Sequence, residues 1–193
     1  MTGPRYDAQI TRLPMEALFE ARGPADELER ACRSVGLDWP QAPHRRMRDA
    51  RGAGLVRLGA KRVLIRAPIA DEASLGATLD AAFAREVAAN CARVSDMYAL
   101  LRVAGPRAVD VLRQGAPLDL SAAAFPDGAA TGTRLWEATV VIERVGAAPP
   151  SFDIFVEASF ADYLELWLRC AAGEETAQAR DILRGAPPPI DPA

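Results

Sequence analysis

The 193 residues contain one histidine, one lysine and three cysteines, and each scarcity closes off a class of chemistry. A Ser-His-Asp or Cys-His site would have to use His44. No second histidine exists for a metal site of the common type, and no G-x-S-x-G sequence accompanies the first. His44 lies in "APHRRMRDAR", an exposed basic loop by composition, and reads as a surface residue with no catalytic role. Cys32, Cys91 and Cys170 are odd in number, widely spaced and free of any C-x-x-C pairing, so neither a cysteine zinc site nor a disulfide framework is indicated. Cys32 falls on the apolar face of a predicted helix, where a buried thiol is expected. The pattern is that of a reduced cytoplasmic protein. A basic excess is missing as well: the net charge is -3, which argues against a dedicated nucleic-acid binder. Lys61 is the only lysine, so nearly all the positive charge is arginine, as a GC-rich coding sequence would give. No uninterrupted apolar run would span a bilayer, and "MTGPRYDAQITRLP" lacks the apolar centre of a signal peptide. Neither a nucleic-acid nor a membrane partner is expected.

What is present is apolar residues, half of the total, enough for a sizeable core in one ordinary domain or in two small halves that share one. The chain also repeats itself. "ALFEARGPADEL" from Ala17 and "ALLRVAGPRAVD" from Ala99 are both short apolar runs that end in Gly-Pro and enter a helix. Proline suits a first helical turn, where its missing N–H costs nothing, and glycine permits the tight approach. After Pro24, the apolar positions Leu28, Ala31, Cys32 and Val35 mark one buried face. Asp26 and Glu27 suit the positive end of that helix, and Gly36 stops it. After Pro106, Ala108, Val111 and Leu112 give a shorter helix that stops near Gly115.

The following segments are parallel too. "GLVRLGAKRVLIRAP" reads as a hairpin turning near Gly59-Ala60-Lys61, followed by a helix with Leu75, Leu79, Phe83 and Val87 on one face. "ATVVIERVGAAPPSFDIFVE" reads as a hairpin with a longer turn at Gly146 to Pro150. Ile154 and Val156 alternate with Asp153, Phe155 and Glu157, the period of a half-buried strand. The next helix is expected to open at Ser159, with Asp162 completing a variant capping box, and to bury Tyr163, Leu164, Trp167 and Leu168. Each half is thus β-α-β-β-α, and the whole is an α+β fold of mostly antiparallel sheet with packed helices. Residues 1–15 read as an N-terminal extension. Residues 16–173 read as one domain of two pseudo-repeats, about 16–90 and 94–173. Residues 174–193 read as a short helix followed by a proline-rich tail.

Few residues present themselves for chemistry. Asp96, beside Ser95 and near Tyr98, has the character of a general base or substrate anchor, but an Asx-type turn into the strand is the favoured reading. Arg45, Arg46, Arg48 and Arg51 lie in a loop from Leu37 to Arg51. They read either as a docking site for phosphate or an acidic partner surface or as a solvated loop. "FPDGAATGT", from Phe125 to Thr133, is a second loop with Asp127 as its acid. The Gly-Pro turns match neither a dinucleotide fingerprint nor a P-loop. Trp136 and Trp167, on a predicted strand and helix, are assigned to packing.

The second half nevertheless carries a resemblance. "VSDMYALLRVAGPRAVDVLRQGAPLDL", "FPDG" and "SFDIFVEASFADYLELWL" resemble the gamma subunit of heterotetrameric sarcosine oxidase. "ALFEARG", "LERACRSVGLDWPQAP" and "LVRLGAKRVLI" extend the likeness more loosely to the first half, from Glu16 to Ala172 overall. Val63 stands where that family often has tryptophan. The family in turn resembles the folate-binding half of aminomethyltransferases, with Ser95, Gly105, Ala108 and Leu112 in matching places. The glycine-rich loop with paired aspartates found there is replaced by a segment whose only acid is Asp127.

The resemblance implies an accessory, non-catalytic subunit, with no catalytic, cofactor-binding or metal residue of its own. The implied complex demethylates sarcosine oxidatively to glycine, with oxygen as electron acceptor, and passes the one-carbon unit to tetrahydrofolate or releases it as formaldehyde. FAD, FMN, NAD, zinc and tetrahydrofolate are implied for the alpha, beta and delta partners, and the large alpha subunit is the implied docking partner. The competing readings are a stand-alone folate or pterin module, with a pocket lined by Tyr98, Arg102 or Asp127, and a stand-alone structural or regulatory protein.

Overall fold

The computed structural model of the chain describes residues 5–48 and 52–174. Two five-stranded sheets face each other, and every strand pairing is antiparallel. In the first, β2 (Ala17–Arg22) lies between β5 (Arg62–Ala67) and β6 (Asn90–Arg93), with β4 (Gly54–Arg57) and β3 (Arg45–Arg48) beyond β5. The second repeats the plan: β7 (Tyr98–Ala104) lies between β10 (Pro150–Glu157) and β1 (Gln9–Arg12), with β9 (Ala138–Ala147) and β8 (Ala130–Leu135) beyond β10. Helices α1 (Ala25–Ser34) and α2 (Glu72–Phe83) cover the outer face of the first sheet, and α3 (Ala108–Arg113) and α4 (Ala161–Ala171) that of the second. The result is four layers, helix-sheet-sheet-helix, with the duplication visible as two like halves.

Strand alternation sorts the side chains between these layers. Along β5, Val63, Ile65 and Ala67 join the core under α1 and α2, while Leu64 and Arg66 point to the opposite sheet. Along β10, Phe152, Ile154 and Val156 meet α3 and α4, while Asp153 and Phe155 face inward. The half-buried period expected for β10 is therefore a strand covered on both faces, with Asp153 and Phe155 fully buried. The inter-sheet layer is built from Leu18, Val56, Leu64, Leu100, Val141 and Phe155. Each such apolar side chain contributes on the order of 1.5–3 kcal/mol by leaving water.

The Gly-Pro turns are the joints of the duplication. A Cβ on Gly23 would lie 2.5 Å from the Cα of Ala89, just before β6. On Gly105 it would lie 2.7 Å from the carbonyl oxygen of Asp7, just before β1. Each turn is thus crossed by the backbone that leads into its sheet's last strand, and only glycine leaves room. Pro24 occupies the N-cap of α1 rather than its first turn. Glu27, inside that turn, accepts hydrogen bonds from the backbone N–H groups of Val87, Ala88 and Ala89 at 2.9–3.0 Å. It thereby fastens the approach to β6 to the helix.

Several sequence expectations are corrected. Residues 9–12, read as part of an extension, form β1 and complete the second sheet, so the two halves interlock through the start of the chain. Each half has an additional strand, β3 or β8, in segments read as loops. "RRMR" shows no apolar alternation, and the start of "ATGTRL" is concealed in a turn-rich run. Backbone hydrogen bonds from Arg46 to Gly128 (2.9 Å) and from Ala130 to His44 (3.0 Å) join these two strands and stitch the sheets together. His44 is exposed, as expected. The turn between β9 and β10 is only two residues, Ala148 and Pro149, joined by a cis peptide bond. Val87 lies beyond α2 and is 97 % exposed rather than on its buried face. Ser159 provides no cap for α4, and Asp162 bonds Arg12 instead. Trp136 sits in the β8–β9 turn with φ of 49°. The helix and tail expected beyond Glu174 fall outside the described residues.

Candidate functional site

The chemistry-bearing residues converge on the seam between the sheets, in two adjoining groups. The first is a buried charge cluster. Arg66, only 1 % exposed, donates two hydrogen bonds to Glu16 (2.6 and 2.7 Å), two to Asp153 (3.2 Å each) and one to Glu143. Its guanidinium lies 4.9 Å from the centroid of the Phe155 ring, a favourable cation–π placement. Arg102 adds two bonds to Asp153, at 2.7 and 3.0 Å. Arg46 reaches Glu143 and Asp127 at 3.7 and 3.8 Å, and Arg48 reaches Glu16 at 3.8 Å.

Burial acts against the charge of each member. It raises the Glu143 carboxyl above the usual carboxylate range, although Arg66 and Arg46 pull the other way. It lowers Arg48, with Arg66 adding repulsion. For Arg66 burial is outweighed by its carboxylate partners, and the guanidinium is held above its ordinary value. Oε1 of Glu143 has no hydrogen-bond partner and faces Arg46 only across the 3.7 Å ion pair.

The second group surrounds a cleft of about 270 Å³, lined by Leu13, Met15, Asp96, Tyr98, Ala158 and Ala161 among others. Ser95 anchors the turn that carries Asp96 into it. Its hydroxyl accepts the N–H of Leu18 (2.9 Å) and donates to the Leu18 carbonyl (3.3 Å), which ties β2 to a one-turn 3-10 segment, Ser95–Met97. That turn leaves Asp96 and Met97 exposed and Tyr98 half-buried. Of the four residues expected at a pocket, the cleft gathers Asp96 and Tyr98. Arg102 belongs to the charge cluster, and Asp127 stands on the β3 side beside Arg46. The expected docking residues Arg45, Arg46 and Arg48 lie on a strand, and two of them turn toward the inter-sheet carboxylates.

Sequence reading missed Arg66, Glu143, Asp153 and Glu16. A signal was available: Arg66 in "VLIRA", Glu143 in "VVIER" and Asp153 in "SFDIF" are lone charges within otherwise apolar strands. It also missed Arg144, 3 % exposed, which donates to the carbonyls of Leu120 and Phe125 (3.3 and 3.0 Å) and pins the loop before β8.

The bonds of Arg66 tie β5 of one sheet to β9 and β10 of the other. Burial pushes the thiols of Cys32 and Cys91 up to about 12, so neither is a ready nucleophile at neutral pH. Among the described residues no three His, Cys, Asp or Glu side chains gather as a metal ion would need. The cleft is at the small end of ligand pockets, which run to roughly 300–1,000 Å³. Two of its charged groups are already committed, Arg12 to Asp162 and Glu165 and Glu16 to Arg66. A pterin would find a carboxylate and a phenol there rather than a converging polar set. No helix among the described residues is long and apolar enough to cross a membrane.

The fold is that of the aminomethyltransferase-like α+β proteins. Glycine cleavage system aminomethyltransferase T from Bartonella henselae superposes with a TM-score of 0.60 at 18% sequence identity, over 88% of this chain and 50% of that one. Within that class, the chain belongs to the sarcosine oxidase, gamma subunit family, whose profile matches residues 29–174. A chain of the heterotetrameric sarcosine oxidase from Corynebacterium sp. U-96, solved in complex with pyrrole 2-carboxylate, is similar over 91% of both chains. It superposes with a TM-score of 0.76 at 25% identity. No curated protein sequence matches this chain.

Proposed function

We propose that the chain serves as the accessory, non-catalytic gamma subunit of a heterotetrameric sarcosine oxidase. The observation that carries this reading is the likeness over 91% of both chains to a subunit of such an enzyme, together with family membership across residues 29–174. The paired charges of the seam support a framework role. Arg66, Glu16, Glu143, Asp153 and Arg102 are occupied with one another, and the exposed groups of the cleft include no nucleophile beside a base. The complex oxidises the N-methyl group of sarcosine, with oxygen taking the electrons. Glycine is released, and the one-carbon unit passes to tetrahydrofolate or leaves as formaldehyde. FAD, FMN, NAD, zinc and the folate site belong in this reading to the alpha, beta and delta subunits. This chain contributes a rigid body that stabilises the large alpha subunit.

The test is affinity purification of the tagged full chain from its native cell. Recovery of a large flavoprotein, with sarcosine-dependent oxygen uptake in the eluate, is expected. Recovery of the chain alone would overturn the reading.

A further inference from the structure

We propose that the chain docks on its partner through one continuous surface, the cleft mouth and the aromatic row of α4. The segment it receives is a protein segment that carries an aliphatic anchor flanked by arginine or lysine. The proposal rests on the subunit reading and specifies its face.

Four rings run in line along this side of the molecule. Phe160 meets Tyr163 edge to face at 6.1 Å, Tyr163 meets Trp167 at 6.2 Å, and Trp167 stacks on Trp136 at 5.9 Å. The spacing 160, 163, 167 places three of them on one face of the helix and its leading turn. None of the four is buried, and Phe160 is 42 % exposed. Phe160 lies in the short turn between Ala158 and Ala161, both of which line the cleft, so the row starts at the cleft's edge. Met15, in the cleft lining, is 55 % exposed, and Met97, in the turn that carries Asp96, is 54 % exposed. Partly exposed aromatic side chains beside exposed methionines are the composition of an interface centre rather than of free surface.

Charge identifies what the patch receives. Asp96 and Glu157 flank Tyr98, the first by sequence and the second as its cross-strand neighbour. Both are exposed, and neither has an ion-pair partner among the described residues. The cation in the cleft lining, Arg12, is held by Asp162 and Glu165. The mouth is therefore acidic and apolar together. A cation placed there gains both the carboxylates and the π faces of the rings, while an aliphatic side chain beside it fills the cleft.

The experiment installs a photo-crosslinker in the full chain, co-expressed with its native partner subunits. The variants are Phe160→p-benzoylphenylalanine and Met97→p-benzoylphenylalanine. Ile69 and Val87, exposed on the α2 side, take the same replacement as controls. Irradiation of the purified complex is expected to give adducts with a partner subunit from positions 160 and 97 and not from 69 and 87. Separately, Met97→Glu and Phe160→Asp are expected to weaken assembly roughly tenfold or more, with the melting temperature of Met97→Glu unchanged. Asp96→Asn combined with Glu157→Gln should flatten the salt dependence of assembly. Adducts from 69 or 87 alone, or from none of the four in a complex that still forms, would overturn this surface and leave the subunit reading standing. Failure of the unaltered chain to recover any partner would overturn both.

Discussion

Arg66→Met is the substitution that most directly interrogates the seam. Methionine keeps most of the stem volume and removes the charge. Asp153 would retain both bonds from Arg102, and Glu16, 21 % exposed at its side chain, can turn toward water. Glu143 is the stranded group. It is fully buried, one of its oxygens already lacks a hydrogen bond, and the next cation, Arg46, is 3.7 Å from that oxygen. Breaking a buried pair in this way costs about 3–5 kcal/mol, against a total stability of about 5–15 kcal/mol for a domain of this kind. At about 2–4 °C per kcal/mol for a chain of this length, the melting temperature should fall by roughly 6–20 °C.

The deficit should also depend on pH. Burial holds the Glu143 carboxyl above its unfolded value, and losing Arg66 raises it further. A raised folded-state pKa contributes stability that is complete below the unfolded value and is lost as pH rises through the folded one. The variant should therefore approach the unaltered chain as pH falls from 7.5 toward about 4.5. Adding Glu143→Leu to Arg66→Met removes the stranded charge and should recover most of the loss, since apolar replacement of a whole buried pair is close to neutral. Thermal melts of the full chain by circular dichroism at several pH values measure all three effects. An Arg66→Met variant melting within about 2 °C of the unaltered chain at pH 7.5, or a deficit independent of pH, would refute the reasoning.

Three further outcomes follow from the structure. A Cβ on Gly115 would come within 2.4 Å of the Trp136 ring, so Gly115→Ala should cost about 1–3 kcal/mol and alter the tryptophan fluorescence, which a melt and an emission spectrum would register. Three backbone N–H groups hold the Glu27 carboxyl below its usual range. Glu27→Gln should therefore speed hydrogen exchange at residues 87–89 more than at residues 17–22 of β2, readable by mass spectrometry. Cys32 and Cys91, pushed up to about 12 by burial, should react far more slowly with iodoacetamide at pH 8 than the same thiols in the denatured chain. Equal rates would contradict their placement.

The duplication was legible because its markers are local. The Gly-Pro turns at Gly23 and Gly105, the helix face Leu28-Ala31-Cys32 and the hairpin β4–β5 follow from short-range chemistry, and all lie where the residues indicate. What stayed hidden depends on distant partners. β1 is a four-residue strand whose place is fixed by β7, some 90 residues away, and nothing in "QITR" announces it. β3 is almost wholly arginine, and two of its arginines, Arg46 and Arg48, answer carboxylates from elsewhere in the fold rather than a core. The site was legible in the same proportion. Asp96 and Tyr98 are close in sequence and do share a cleft. The Arg66 cluster draws on β5, β9 and β10, and lone charges in apolar strands hint at such a cluster without saying which of them meet.

The measurement that bears most directly on the central claim is native mass spectrometry of the complex recovered with the tagged chain from its own cell. One copy of this chain is expected in an assembly of four different subunits that oxidises sarcosine. A tagged chain that flies as a monomer, from cells whose sarcosine oxidase is intact without it, would rule out the subunit role.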